Sequence, residues 1–242
     1  MSRPARASKR KSKAVPIPTV GMSKKPPPAK SFGELELSHR ATRLLDGQHE
    51  VWDEMQRNRI SFLIGPAGTG KTHLAVAYAL NEMLHKGADK IVLTRPMVEA
   101  EGEKMGFLPG DIEAKSHPYM MPFYDMLDDM VGREGDEARK TLDSRIEISP
   151  LAFLRGRTFK RSVCILDEAQ NCTAAQLKLF LTRLGRGSKM VITGDPEQSD
   201  RGVMQDLTTV AHKVQEIPGI TVIRFDLTAI VRDPLVGRIL ER

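Results

Sequence analysis

Residues 60–72 read Ile-Ser-Phe-Leu-Ile-Gly-Pro-Ala-Gly-Thr-Gly-Lys-Thr. The apolar run 60–64 has the length of a buried strand and ends at a glycine. Glycines at 65, 68 and 70 let the backbone curl so that successive N–H groups face one anion. A helix-like stretch over 73–84 follows, and its N-terminus adds a positive end. Strand, G-x-x-x-x-G-K-[ST] and helix in this order make a phosphate-binding loop. Gly65, Pro66, Ala67, Gly68, Thr69, Gly70, Lys71 and Thr72 are therefore expected to cradle a nucleoside triphosphate. Lys71 would bridge the β- and γ-phosphates, and the Thr72 hydroxyl would hold Mg²⁺.

A chain of 242 residues accommodates one good-sized domain and a tail. No apolar run approaches the roughly 18–20 residues that span a bilayer, so no membrane contact is expected. The basic N-terminus lacks an apolar stretch and is not read as a secretory signal. Cys164 and Cys172 fit no zinc spacing and read as buried or half-buried thiols of a reducing, cytoplasmic setting. His39, His49, His73, His85, His117 and His212 show no ligand pairing, so a metal site of protein ligands alone is not expected. The formal net charge of +6 is unevenly placed: residues 1–31 carry nine Lys or Arg and no acid. Removing those nine leaves residues 32–242 at −3. Residues 1–31, with Pro26-Pro27-Pro28 near their end, are expected to be a disordered basic tail before a domain over 32–242. The tail reads equally as an electrostatic arm for nucleic acid and as a solubilising linker.

Along the domain, a helix is expected from Gly47, with Val51, Trp52 and Met55 on one apolar stripe. Gln48 shares that face and reads either as an amide for an adenine edge or as a polar helix start. The strand Ile91-Val92-Leu93 leads into Thr94-Arg95-Pro96, where Arg95 faces the ligand crevice of an α/β sheet or lies on the surface. Residues 97–118 form a long glycine- and proline-bearing loop of the kind that carries function. Pro122 is expected to open a helix with Phe123, Met126, Leu127 and Met130 at helical spacing, and 133–143 to be a solvated helix. Strands are expected at Ile146–Ile148 and Ser162–Leu166, the latter ending in Asp167-Glu168-Ala169-Gln170. An acidic pair there matches the Walker B arrangement: Asp167 holding Mg²⁺ through water or Thr72, Glu168 orienting and deprotonating water. On its own the pair also reads as a helix cap. Leu177, Phe180, Leu181 and Leu184 indicate a helix stopped by Gly185, before a strand at Met190-Val191-Ile192. Gln198 follows that strand where a side chain could sense the γ-phosphate. A last strand at 220–225 and a terminal helix begun by Asp233-Pro234, with Arg232 just ahead, complete the pattern.

The phosphate loop, Thr94-Arg95-Pro96, Gly106-Phe107-Leu108-Pro109-Gly110-Asp111, Pro118-Tyr119, Leu166-Asp167-Glu168-Ala169-Gln170-Asn171, Thr193-Gly194-Asp195 with Gln198, and Val231-Arg232 closely resemble the PhoH family. The likeness runs from about Gln48 to the end. It implies an α/β, RecA-like P-loop NTPase core, a parallel sheet flanked by helices, similar to the first motor domain of superfamily 1 helicases. It also implies ATP and Mg²⁺ as cofactors, Gln48 on the base, Arg95 and Gln198 along the nucleotide, and Arg232 as an arginine finger toward a neighbouring subunit. A hexameric ring and an association with RNA metabolism belong to the same likeness. Some members carry an RNase-like PIN domain, for which residues 1–31 are too short and too polar. The sequence departs from the family pattern near Glu101, at Asp233 in place of a histidine, and at Ser199-Asp200-Arg201.

Three functions fit these features. The first is an ATPase acting on single-stranded RNA or DNA as a helicase-like motor in a ring. The second is an ATP-dependent RNA-binding switch or scaffold that does not unwind. The third is a small-molecule P-loop kinase, which has no use for a carboxylate placed to activate water.

Overall fold

The computed structural model describes residues 44, 47–85, 87–97, 112–131, 140, 142–199 and 206–226. Within them run α1 (Gln48–Arg57), β1 (Ile60–Ile64), α2 (Lys71–Leu84), β2 (Lys90–Thr94), α3 (Ile112–Val131) and β3 (Ile146–Ile148). They continue with β4 (Ser162–Leu166), α4 (Ala174–Leu181), β5 (Lys189–Gly194), α5 (Asp206–Val214) and β6 (Ile220–Arg224). Every strand pairing is parallel, in the order β3-β2-β4-β5-β1-β6. This is the α/β parallel sheet flanked by helices that the motifs predict. The expected tail, residues 98–111 of the expected 97–118 loop with their Gly-Phe-Leu-Pro-Gly-Asp block, most of the 133–143 stretch, and Arg232 with the expected terminal helix lie outside the described residues; residues 112–118 of that expected loop are helical and belong to α3.

Parallel strands are buried on both faces, and their side chains alternate between two cores. Leu63, Ile91, Leu93, Val163, Ile165 and Val191 pack with α1, α2 and α3 on one side. Ile60, Phe62, Ile64, Val92, Cys164, Leu166, Met190 and Ile192 pack with α4 and α5 on the other. The layering follows from crossover handedness. Steps from β1 to β2 and β2 to β3 move one way across the sheet, with their helices on the first face. Steps from β4 to β5 and β5 to β6 move the other way, with theirs on the second. α2 is apolar almost all round, with Leu74 to Leu80 buried in sequence, because the sheet and α3 enclose it.

Three details depart from the sequence expectation. α3 does not begin at Pro122; it runs through both Pro118 and Pro122. Burial of Met120, Phe123, Leu127 and Met130 against α2 and the sheet holds the helix where the prolines remove two backbone donors. α4 ends at Leu181 rather than at Gly185. Gly185 instead follows a bridge between Phe159 and Leu184, and a Cβ there would lie 2.0 Å from the Phe159 carbonyl oxygen. α5 has no counterpart in the sequence reading. Cys164 and Cys172 are both buried, and burial pushes the Cys164 thiol up to about 12, out of reactive range.

The edge strand β3 is pinned by charge. Glu147 accepts from Arg157 and Lys90, and the Arg157 guanidinium first, then Lys90, pull its carboxyl down to about 2 from 4.5. With a folded pKa below the unfolded one, Glu147 stabilises the fold above pH 4.5 and loses that contribution as pH falls toward 2. Its side chain is 22% exposed, so the contribution is about 2–3 kcal/mol. Glu147→Gln should lower stability at pH 7 and flatten its fall between pH 4.5 and 2, read by urea unfolding across that range.

Candidate functional site

At the carboxyl end of β1 the chain makes a close approach to its neighbours. Gly65 N–H donates to the Gly194 carbonyl at 3.1 Å, and Phe225 N–H donates to the Ile64 carbonyl at 2.8 Å. A Cβ on Gly65 would stand 2.5 Å from the Phe225 carbonyl oxygen, so only glycine fits. Gly70 takes φ +77° to turn the loop into α2, a conformation that any side chain would strain. The first turn of α2 carries no acidic residue, so its positive end is not neutralised from within the helix.

Lys71 is 8% exposed, begins α2 and folds back into the loop that precedes it. Its Nζ donates to the Gly65 carbonyl at 2.7 Å, the Pro66 carbonyl at 2.6 Å and Thr69 Oγ1 at 3.3 Å. Thr69 Oγ1 donates in turn to the Pro66 carbonyl at 3.0 Å. The ammonium is thus already inside the ring of loop backbone where an anion would be gathered.

Asp167 ends β4 and is 2% exposed. Its Oδ1 accepts from Thr72 Oγ1 at 2.7 Å and from Thr193 Oγ1 at 2.5 Å. Its Oδ2 accepts from Arg95 Nε at 2.8 Å and Nη2 at 2.5 Å. An ionised carboxylate offers about four acceptor positions, and donors from α2, β5 and the end of β2 occupy all of them. Arg95 also reaches α3: its Nη1 donates to the Tyr119 carbonyl at 3.4 Å, and its guanidinium lies 4.7 Å from the centre of the Phe123 ring.

Glu168 adopts φ 54°, ψ 40°, the left-handed region that a side chain with Cβ enters at a cost of about 1–2 kcal/mol. Non-glycine residues held this way cluster at functional sites. Its Oε2 accepts from Gln170 Nε2 at 2.6 Å, and Gln170 Oε1 accepts from the Asp195 N–H at 3.0 Å. Asp195 Oδ2 accepts from the Ala67 N–H at 2.8 Å. A continuous chain of hydrogen bonds therefore links Glu168 to the phosphate loop. Beside it opens a cleft of about 650 Å³ whose walls include Arg95, Tyr119, Glu168, Glu197 and Gln198.

Gly65 to Thr72, Arg95, Asp167, Glu168 and Gln198 are thus gathered around the carboxyl ends of β1, β2, β4 and β5, where open α/β sheets bind ligands. Gln48 opens α1 and is half-buried on a helix packed against β1 and β6. The sequence reading left Thr193, Gln170 and Asp195 without roles. Thr193 lies at the carboxyl end of β5, and Gln170 and Asp195 follow β4 and β5, and that position is the signal for them. Thr72 Oγ1 and the Asp167 carboxylate are hard oxygen donors side by side and suit a hard divalent cation that keeps waters and phosphate oxygens as its other ligands. Among the described residues, no group of three or more His, Cys, Asp or Glu could hold a metal alone.

A family model for PhoH-like proteins matches residues 42–242. The chain is 51% identical over 197 residues to a PhoH-like protein of Bacillus subtilis, covering 81% of this chain and 61% of that one. It is 41% identical over 190 residues to Protein PhoH of Escherichia coli, covering 77% and 53%. The chain thus spans between about half and three fifths of the length of these relatives. Among solved structures, the Hef helicase domain of Pyrococcus furiosus aligns with a TM-score of 0.49 at 11% identity, covering 78% of this chain and 40% of that one. The family model and the two PhoH relatives show that the chain belongs to the PhoH family, and its phosphate loop and parallel sheet are those of a P-loop NTPase fold.

Proposed function

We propose that the chain binds Mg·ATP and hydrolyses it to ADP and phosphate. The observation that carries this reading is the Thr72–Asp167 hydrogen bond at 2.7 Å, which ties the start of the loop helix to the acidic strand end. The loop amides and the end of α2 receive the phosphates, and Lys71 exchanges loop carbonyls for β- and γ-phosphate oxygens. Thr72 and Asp167 would hold Mg²⁺, which would supply positive charge to offset that of the phosphates. Glu168, on the cleft side, accepts a proton from the attacking water. The water oxygen bonds to the γ-phosphorus as the bond to the β–γ bridging oxygen breaks, and that electron pair leaves with ADP. Gln170 fixes the orientation of Glu168 and, through Asp195, its distance from the loop. Gln198 stands across the cleft as the γ-phosphate sensor.

The kinase reading fits less well, because a carboxylate in the place of Glu168 would direct ATP to water. The polymer acted on is proposed to be single-stranded RNA or DNA, on the family likeness. On the same likeness, the motor action is proposed to take place in a ring in which Arg232 of one copy completes the site of the next. Gln48 is assigned to the adenine edge, and the basic tail to the polymer. No helix among the described residues is long and apolar enough to cross a membrane, in keeping with the proposed cytoplasmic location.

Glu168→Gln should lower ATP turnover by about 10²–10⁴-fold while equilibrium binding of ATP persists. Lys71→Ala should weaken Mg·ATP binding by more than about tenfold, and undiminished binding by this variant would refute the site. Asp195→Ala strips acceptors from the Ala67 and Glu197 N–H groups. It should cost about 1–3 kcal/mol in denaturant unfolding and speed amide exchange at Ala67. Phosphate release with and without single-stranded RNA or DNA identifies the polymer; absence of stimulation by either leaves the ATPase intact and removes the motor.

A further inference from the structure

The acceptor positions of Asp167 are fully used, and this has a mechanical consequence. A cation beside Thr72, or a water bound to it, needs an Asp167 lone pair, so one of the present donors must withdraw. Thr72 is itself a prospective ligand of the cation. Thr193 is neutral and fully buried on β5. Arg95 is the donor that carries positive charge, repels an incoming cation, and borders the open cleft with 17% of its side chain exposed. It also has other partners within reach: the Tyr119 carbonyl and the Phe123 face on α3.

Those partners lie in the stretch of α3 that holds its two prolines. Pro118 and Pro122 each withhold a backbone N–H from the helix, and Tyr119 sits between them. The Arg95 contact at the Tyr119 carbonyl therefore falls between the two positions where the helix lacks a backbone donor.

The geometry points to Arg95 as a positioning residue that competes with the divalent cation for Asp167 and transmits the outcome to α3. When the cation binds, the guanidinium leaves Oδ2, shifts toward the cleft, and changes its hold on Tyr119 and Phe123. Site occupancy is thereby reported on a helix whose far surface exposes Met121 and Tyr124. This inference rests on the assignment of Asp167 to the metal side of the ATP site.

The test uses the full chain saturated with ADP and titrated with Mn²⁺, free Mn²⁺ being followed by electron paramagnetic resonance. Arg95→Gln should bind Mn²⁺ more tightly, by about tenfold within the usual range of coupling between sites. Arg95→Lys, which keeps the charge but not the fork, should fall between it and the parent. A merely structural arginine predicts the opposite sign, because its loss would disorder Asp167 and weaken the metal. In parallel, amide exchange of peptides from 112–131 should respond to Mn²⁺ in the parent and not in Arg95→Gln. Unchanged or weaker Mn²⁺ affinity in Arg95→Gln overturns the competition. Should that variant fail to fold, an α3 exchange pattern in the parent that is indifferent to Mn²⁺ overturns the coupling by itself. A parent that binds ADP with no Mn²⁺ dependence removes the metal assignment of Asp167, and the coupling with it.

Discussion

A carboxylate taken out of water must be compensated or it will not remain charged, and Asp167 meets that requirement with four donors from three separate elements. Thr72 belongs to α2, Thr193 to β5, and Arg95 to the segment after β2. None of these is close to Asp167 in sequence. Their convergence depends on β4 lying between β2 and β5, with parallel strands bringing like ends to one side. The strand order is therefore what permits the charge to be buried. In return, the charge ties three strand ends and a helix together at the place where chemistry is proposed.

A second set of bonds works alongside the first. Glu168 is displaced from ordinary backbone geometry while Gln170 grips its carboxylate, and Asp195 holds the loop amide of Ala67. Strain at Glu168 is sustained because Ala169, Gln170 and Asn171 are buried immediately after it and cannot relax outward. Among the described residues, the cleft beyond sets Glu168 and Glu197 against one arginine, so their electrostatic balance turns on where Arg95 points. A guanidinium spent on Asp167 leaves the cleft acidic. One released from Asp167 would oppose those carboxylates.

Much of this was readable along the chain. The glycines and Lys71-Thr72 specify a phosphate loop through local backbone chemistry, and apolar runs of strand length bracket it. The same rules failed at α3, where Pro122 looked like a helix start. Local proline energetics of a few kcal/mol were overridden by the burial of Phe123, Leu127 and Met130. They failed again at Gly185, whose glycine answers to the Phe159 backbone rather than to the end of a helix. α5 went unread although Leu207, Val210, Ala211 and Val214 fall at i, i+3, i+4 and i+7, a stripe that the sequence does carry.

Local chemistry thus accounts for the loop, the strands, and the acids placed at strand ends, since each depends on residues within a few positions of one another. The Walker pattern brought Asp167 toward Thr72 across 95 positions, but its other donors were decided only in three dimensions. Arg95 and Asp167 are separated by 72 positions and Thr193 and Asp167 by 26, and no spacing rule joins them. Side-by-side packing of β2, β4 and β5 turned a crevice arginine into the counter-ion of the acid. The same packing set the Phe123 ring and the Tyr119 carbonyl of α3 against that arginine.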